Sequence, residues 1–197
     1  MHILLFAALP FVACVAFAQE KDGTTEQIYQ KYKAAETRSG LELRNAFNGI
    51  PFPKDGLQVV DEQMRLEKVL EKRASDRDGL ALFYLGVIAN NSGLAMRSVK
   101  SARYNDDFDK AVDYFKQACT LKIFNGCSNV AIMYLHGDGS TKSGSAAAEW
   151  YYKAGAGLHS AGMRDQALAA LDSINQIDPN HPLGKRLGFL LQKDAPK

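Results

Sequence analysis

The sequence predicts an all-α fold, an α–α superhelix (solenoid) of stacked helical hairpins closed by capping helices. Apolar residues recur with the 3.6-residue period of a helix along most of the chain, while strand-like alternation is sparse. A segment of one helix reappears 36 residues later, and internal repeats are the mark of stacked architectures. Hydrophobic residues make up 46% and charged residues 23% of the 197, enough apolar surface to offset chain entropy and to exclude disorder as the main state. The 24 Lys+Arg against 22 Asp+Glu leave a net charge of +2, which excludes a nucleic-acid binder driven by bulk charge.

Residues 3–17 are almost wholly apolar, interrupted by Pro10, and Ala16-Phe17-Ala18 then meets Gln19-Glu20. This is the small-x-small pattern of a leader cleaved after Ala18. The run falls short of the ~20 residues that cross a bilayer, and no later run reads as a membrane span. The expected localisation is periplasmic or secreted. A lipid anchor on Cys14 is the less favoured reading, because Phe11 is a poor residue at the first position of a lipoprotein box. With Cys14 removed, Cys119 and Cys127 remain. An even pair in an exported chain predicts a disulfide, here bridging the end of one helix and the start of the next, with a reactive thiol pair as the alternative. The C-x7-C spacing is poor for zinc, which wants closer knuckles and usually four ligands.

Residues 24–37 read as a helix with Ile28, Tyr29 and Tyr32 on one stripe, broken at Gly40. Leu41, Leu43, Ala46 and Phe47 then suggest a short second helix, stopped by Gly49-Ile50-Pro51-Phe52-Pro53. Residues 61–75 form an amphipathic helix that starts at Asp61 and turns Leu66, Val69 and Leu70 inward, its charges making a solvated face. From residue 80 the repeat begins. Ala111, Tyr114, Phe115 and Ala118 recur as Ala147, Trp150, Tyr151 and Ala154, and more loosely as Ala167, Ala170, Leu171 and Ile174. Small residues let neighbouring helices approach and bulky ones fill the groove between them, so these aromatics are assigned to packing. Leu85-Gly86-Val87-Ile88 corresponds to Val130-Ala131-Ile132-Met133 at an offset of 45. The nine extra residues fall around 94–104, expected to be a basic, mobile insertion with Arg97, Lys100 and Arg103. Gly137, Gly139 and Gly162 supply turns. Asp178-Pro179 stops the last full hairpin, and residues 182–192 form a capping helix.

Leu85-Gly86, Ala111…Ala118, Gly137-Asp138-Gly139 and Ala147…Trp150-Tyr151-x-Lys153-Ala154 resemble Sel1-like repeats over about residues 79–155. The cysteine spacing is similar to that of the disulfide-bearing Sel1-like repeats of secreted bacterial proteins. Tyr151, Gly155, Gly162, Ala167 and Asp178-Pro179 resemble the next repeat to the tetratricopeptide pattern, with Ile174 where that pattern usually has Ala. The resemblance implies helix–turn–helix units in an α-solenoid, divided as a leader 1–18, an N-terminal helical cap 19–78, repeats 79–181 and a C-terminal cap and tail 182–197. It also implies a concave groove lined by Glu149, Tyr152 and His159, with Tyr134 and His136 ending their helix near the same side.

Reaction chemistry finds no residues to rest on. His136, His159 and His181 are isolated in sequence, and there is no HExxH, no GxSxG and no phosphate loop ending in Lys-Ser/Thr. Some secreted Sel1-like relatives are linked to penicillin, but SxxK and KTG are absent. The expectation is therefore a non-enzymatic, monomeric interaction module without cofactor or metal, binding a protein or peptide on its surface, with no nucleic-acid partner and no membrane span. A penicillin-interactive or cell-wall-active enzyme is the rival reading.

Overall fold

The computed structural model describes residues 23–47, 56–101 and 104–193. The leader, Cys14 and the 49–53 Pro-containing stop lie outside them. Eight helices run through the described residues: α1 (Thr25–Phe47), α2 (Gly56–Ser75), α3 (Gly79–Ser98), α4 (Tyr104–Thr120), α5 (Phe124–His136), α6 (Gly144–Ser160), α7 (Arg164–Ile177) and α8 (Pro182–Lys193). No strand occurs among the described residues. The chain divides into two compact units, Met1–Arg73 and Ala74–Lys197.

In the first unit Ile28, Tyr32, Leu66 and Leu70 are buried, as their helical spacing requires, while Tyr29 and Val69 are half-buried. The two helices run antiparallel. Gln63 Nε2 donates to Tyr32 Oη at 3.1 Å, and the Arg73 guanidinium donates to Thr25 Oγ1 at 2.8 Å and to the Gly23 carbonyl at 2.5 Å. Two boundary expectations need correction. Gly40 does not break the first helix, which runs unbroken through it. A mid-helix glycine costs only about 1 kcal/mol relative to alanine, which 23 residues of helix absorb. The next helix starts at Gly56, so Asp61 is an exposed residue inside it and does not cap it.

In the second unit each helix packs on its chain neighbour, and α6 also packs on α8. Asp78 caps α3 by accepting from the Leu80 and Ala81 amides at 3.0 and 3.1 Å, and Ser143 caps α6 through the Ala146 amide at 3.2 Å. Phe108 and Phe115, seven apart on α4, lie on Gly93 and Gly86, seven apart on α3. A Cβ at either glycine would come within 2.7 Å of the facing ring, so the ridge of one helix needs the notch of the other. Ala111, Ala118, Ala147 and Ala154 are all fully buried, Phe115 and Tyr151 nearly so, and Tyr114 and Trp150 half-buried. The shorter motif also corresponds in burial: in Leu85-Gly86-Val87-Ile88 and Val130-Ala131-Ile132-Met133 only the third residue of each four is not fully buried, Val87 being half-buried against the core and Ile132 exposed.

Four connections of the second unit share one turn. Ser101, Ile123, Asp138 and Met163 each donate their amide to the carbonyl five residues back, and the residue before each has positive φ. This is the Schellman close of a helix. Gly137 and Gly162 take the left-handed position in two of these turns, as expected, but Lys100 and Lys122 take it in the others. The 94–104 insertion is also corrected. Residues up to 98 continue α3 as helix, and the segment is tied down: Arg97 Nη1 lies 2.6 Å from Asp138 Oδ1, and its guanidinium sits 5.2 Å from the Phe108 ring centroid. Extra length became extra helix because Gly93 lets α3 lie flush on α4 beyond the first glycine notch.

The reading that no later run is long and apolar enough to cross a membrane is corrected on composition. Gly79–Ser98 passes that test. Part of its apolar surface is spent on packing: Ala81, Leu82, Tyr84, Leu85 and Ile88 are buried within the unit, while Leu80, Leu94 and Met96 are exposed.

Candidate partner-binding surface

Cys119, near the end of α4, and Cys127, in the first turn of α5, are joined by a disulfide with Cα atoms 5.1 Å apart. Both are buried, and they pack with Ala154 against Phe124 and Trp150. The bond therefore pins the α4–α5 turn beneath α6. Disulfides form and persist mainly in oxidising compartments.

The residues expected to meet a partner fall into two places. Glu149, Tyr152 and His159 share one flank of α6, because their spacings of three and seven residues bring side chains to the same side of a helix. Glu149 is exposed, and Tyr152 and His159 are half-buried. The Tyr152 ring borders the core formed with α7 and α8, and the Arg186 guanidinium of α8 stands 5.3 Å from its centroid. Tyr134 and His136 close α5. Tyr134 packs against two core clusters, accepts from the Ser143 amide through its carbonyl at 2.9 Å, and lies 6.0 Å from Lys116 Nζ. Much of Tyr134 is thus structural, whereas His136 is exposed. Burial raises the phenol pKa of Tyr151, next to Tyr152 in sequence but on the inner face, against a smaller lowering by a hydrogen bond to Ser173.

Trp150 joins more of the unit than any expected contact residue. It packs against three core clusters, and Lys153 Nζ sits 4.7 Å from its ring centroid. Sequence reading missed the cations over these rings, since each partner except Lys153 comes from another helix and no local spacing reveals it. It also missed the apolar side chains left exposed on the last hairpin, Leu168 and Phe189. A cleft of about 320 Å³ in the first unit lies between Ala34, Ala35 and Arg38 of α1 and Gln58, Val59 and Glu62 of α2. Among the described residues no three His, Cys, Asp or Glu side chains are grouped to hold a metal ion.

Fold and surface define the class: an all-helical, disulfide-bonded protein built of packed helical hairpins with a repeat-like pattern. No protein-family model and no curated protein matches the sequence.

Proposed function

We propose that this chain is an exported protein-interaction module, a solenoid of disulfide-bearing Sel1-like repeats running into a tetratricopeptide-like hairpin, which binds a protein or peptide partner without bond-making chemistry. One observation carries the reading. The residues 36 apart that resemble the repeat signature also occupy equivalent packing positions, with Ala111 and Ala147, and Ala118 and Ala154, all at zero exposure. Hairpins built alike stack alike and present repeated outer flanks to a partner. The buried disulfide and the apolar leader with its Ala16-Phe17-Ala18 site support export to the periplasm. The concrete version is an immunity protein that neutralises a secreted toxin by stoichiometric capture, with Glu149, Tyr152 and His159 on the contacting flank and Tyr134 and His136 at its edge.

The test is affinity capture from a periplasmic extract, followed by titration of the purified captured protein against this one. A one-to-one complex weakened at least tenfold by Glu149→Arg supports the reading. Indifference to that exposed substitution rejects the assigned flank. Time-dependent consumption of a labelled penicillin overturns the non-enzymatic reading altogether.

A further inference from the structure

The last described hairpin, α7 with α8, leaves two large apolar side chains on its outer surface. Here Phe189 on α8 is 68% exposed and Leu168 on α7 is 38% exposed. Each sits between two exposed like charges on its own helix, with half-buried Arg164 also one turn before Leu168. On α7, Asp165, Leu168 and Asp172 are spaced by three and four residues and so form one stripe. On α8, Lys185, Phe189 and Lys193 are spaced by four and four and form another. All four charged residues are exposed. The two stripes adjoin. Gly188, beside Phe189, faces Leu171 of α7, and Gly184 faces Ile174 and Asn175, which leaves the Leu168 side of α7 next to the Phe189 side of α8.

We propose that this surface binds a second copy of the same chain, α7 of one protomer lying on α8 of the other about a two-fold axis. The match is in charge and in spacing. The acidic pair spans about 10.5 Å along its helix and the basic pair about 12 Å, at 1.5 Å per residue. An acid–apolar–acid stripe on one protomer therefore meets a base–apolar–base stripe on the other, and the two-fold axis makes the same contact twice. A two-fold interface needs this self-complementarity, in which residue i meets j and j meets i. Leu168 then covers Phe189 of the other copy, and the carboxylates face the ammonium groups. Two helices of this length cover roughly 20 Å by 20 Å, so the total buried area is about 800 Å², below the usual range for stable complexes. The dimer is accordingly weak, concentration-dependent and loosened by salt, which screens exposed charges. The sequence-based expectation of a monomer does not foresee this surface, because no local motif announces it.

Charge swaps test the proposal on the purified protein by sedimentation equilibrium, with circular dichroism to verify that each variant is folded. The wild type is expected to rise toward twice the monomer mass with concentration. Asp165→Lys with Asp172→Lys makes both stripes basic, and Lys185→Asp with Lys193→Asp makes both acidic, so each variant alone should weaken the dimer at least tenfold. An equimolar mixture of the two should regain wild-type affinity, because each basic stripe then meets an acidic one. Phe189→Ser should weaken the dimer without lowering the melting temperature. A wild type that stays monomeric, swaps that leave the mass unchanged, a mixture that fails to associate, or a monomer that instead holds a different protein through Phe189 would each overturn it.

Discussion

Arg97 Nη1 lies 2.6 Å from Asp138 Oδ1, joining the last turn of α3 to the loop between α5 and α6, 41 residues away in sequence. Asp138 is nearly buried, with 12% of its side chain exposed, whereas Arg97 keeps 47% in solvent and rests on the Phe108 ring. Half-exposed pairs contribute little, so the bridge and the stacked cation together are worth about 1 kcal/mol. Their effect is local. Asp138→Ala should lower the melting temperature by only a few degrees but speed tryptic cleavage after Arg97 and Lys100 severalfold, read by mass spectrometry of timed digests. An unchanged cleavage rate would mean that the Gly93–Phe108 notch alone holds the end of α3.

Trp150 bridges three core clusters of the second unit, so its loss should be felt by every hairpin it touches. The ring is only half-buried, which places Trp150→Ala at the low end of the range for aromatic truncation, about 3 kcal/mol. Equilibrium unfolding in urea should show the unfolding free energy falling by that amount, through a lower midpoint at an unchanged slope. Lys153→Ala, which removes only the cation over the ring, should cost less than about 1 kcal/mol.

The helical packing positions were legible because period and side-chain size are local properties. The buried alanines at 111, 118, 147 and 154 and the notch at Gly86 follow from the repeat itself. Boundaries were less legible. Gly40 and Asp61 carry breaker and cap chemistry, but a helix uses such signals only where its backbone ends, and packing elsewhere moved those ends. Residues 94–100 look exposed and basic in sequence because they are exposed and carry Arg97 and Lys100; the helical state of 94–98 depends on Gly93 meeting Phe108, fifteen residues on. Lys100 and Lys122 occupy left-handed turn positions that glycine would fill more cheaply, so the turns left no signature. The candidate surface was the least legible part. Arg186 over Tyr152 and Lys116 over Tyr134 are meetings between helices, which no single stripe encodes.

The Cys119–Cys127 bond closes a short loop, eight residues in separation. The chain-entropy model gives such a loop roughly 2–3 kcal/mol. Because both residues are buried beneath Trp150, reduction should require opening of the α4–α5 turn. The native protein is therefore expected to resist mild reductant, and the Cys119→Ala, Cys127→Ala double variant to unfold at a clearly lower denaturant midpoint. Immediate labelling of two thiols in untreated protein would show the pair to be reduced.

Gly139 and Gly162 both have positive φ, but only one is crowded. A Cβ at Gly139 would lie 2.5 Å from the Phe108 carbonyl oxygen, while at Gly162 nothing lies within 4 Å. Gly162→Ala should therefore cost only the left-handed backbone penalty, about 1–2 kcal/mol. Gly139→Ala should cost clearly more, since backbone of α4 must also shift, and paired thermal melts of the two variants provide the comparison. Equal losses would mean that the 137–143 loop yields freely.

Tyr32 ties stability to alkaline pH. Burial pushes its phenol pKa up to about 12, against a smaller lowering by the hydrogen bond from Gln63. In the unfolded chain the phenol titrates near 10. The folded state holds the proton more tightly, so the stabilisation is complete below pH 10 and is lost as pH climbs from there through about 12. The tighter hold on the proton is worth something on the order of 2 kcal/mol, and Tyr32 is only 4% exposed, so little of this is screened by solvent. Tyr32→Phe should flatten the decline in urea-unfolding free energy between pH 9.5 and 11.5, leaving the slope due to the lysines and the other tyrosines. An identical slope in the variant would mean that Tyr32 titrates alike in the folded and unfolded chains.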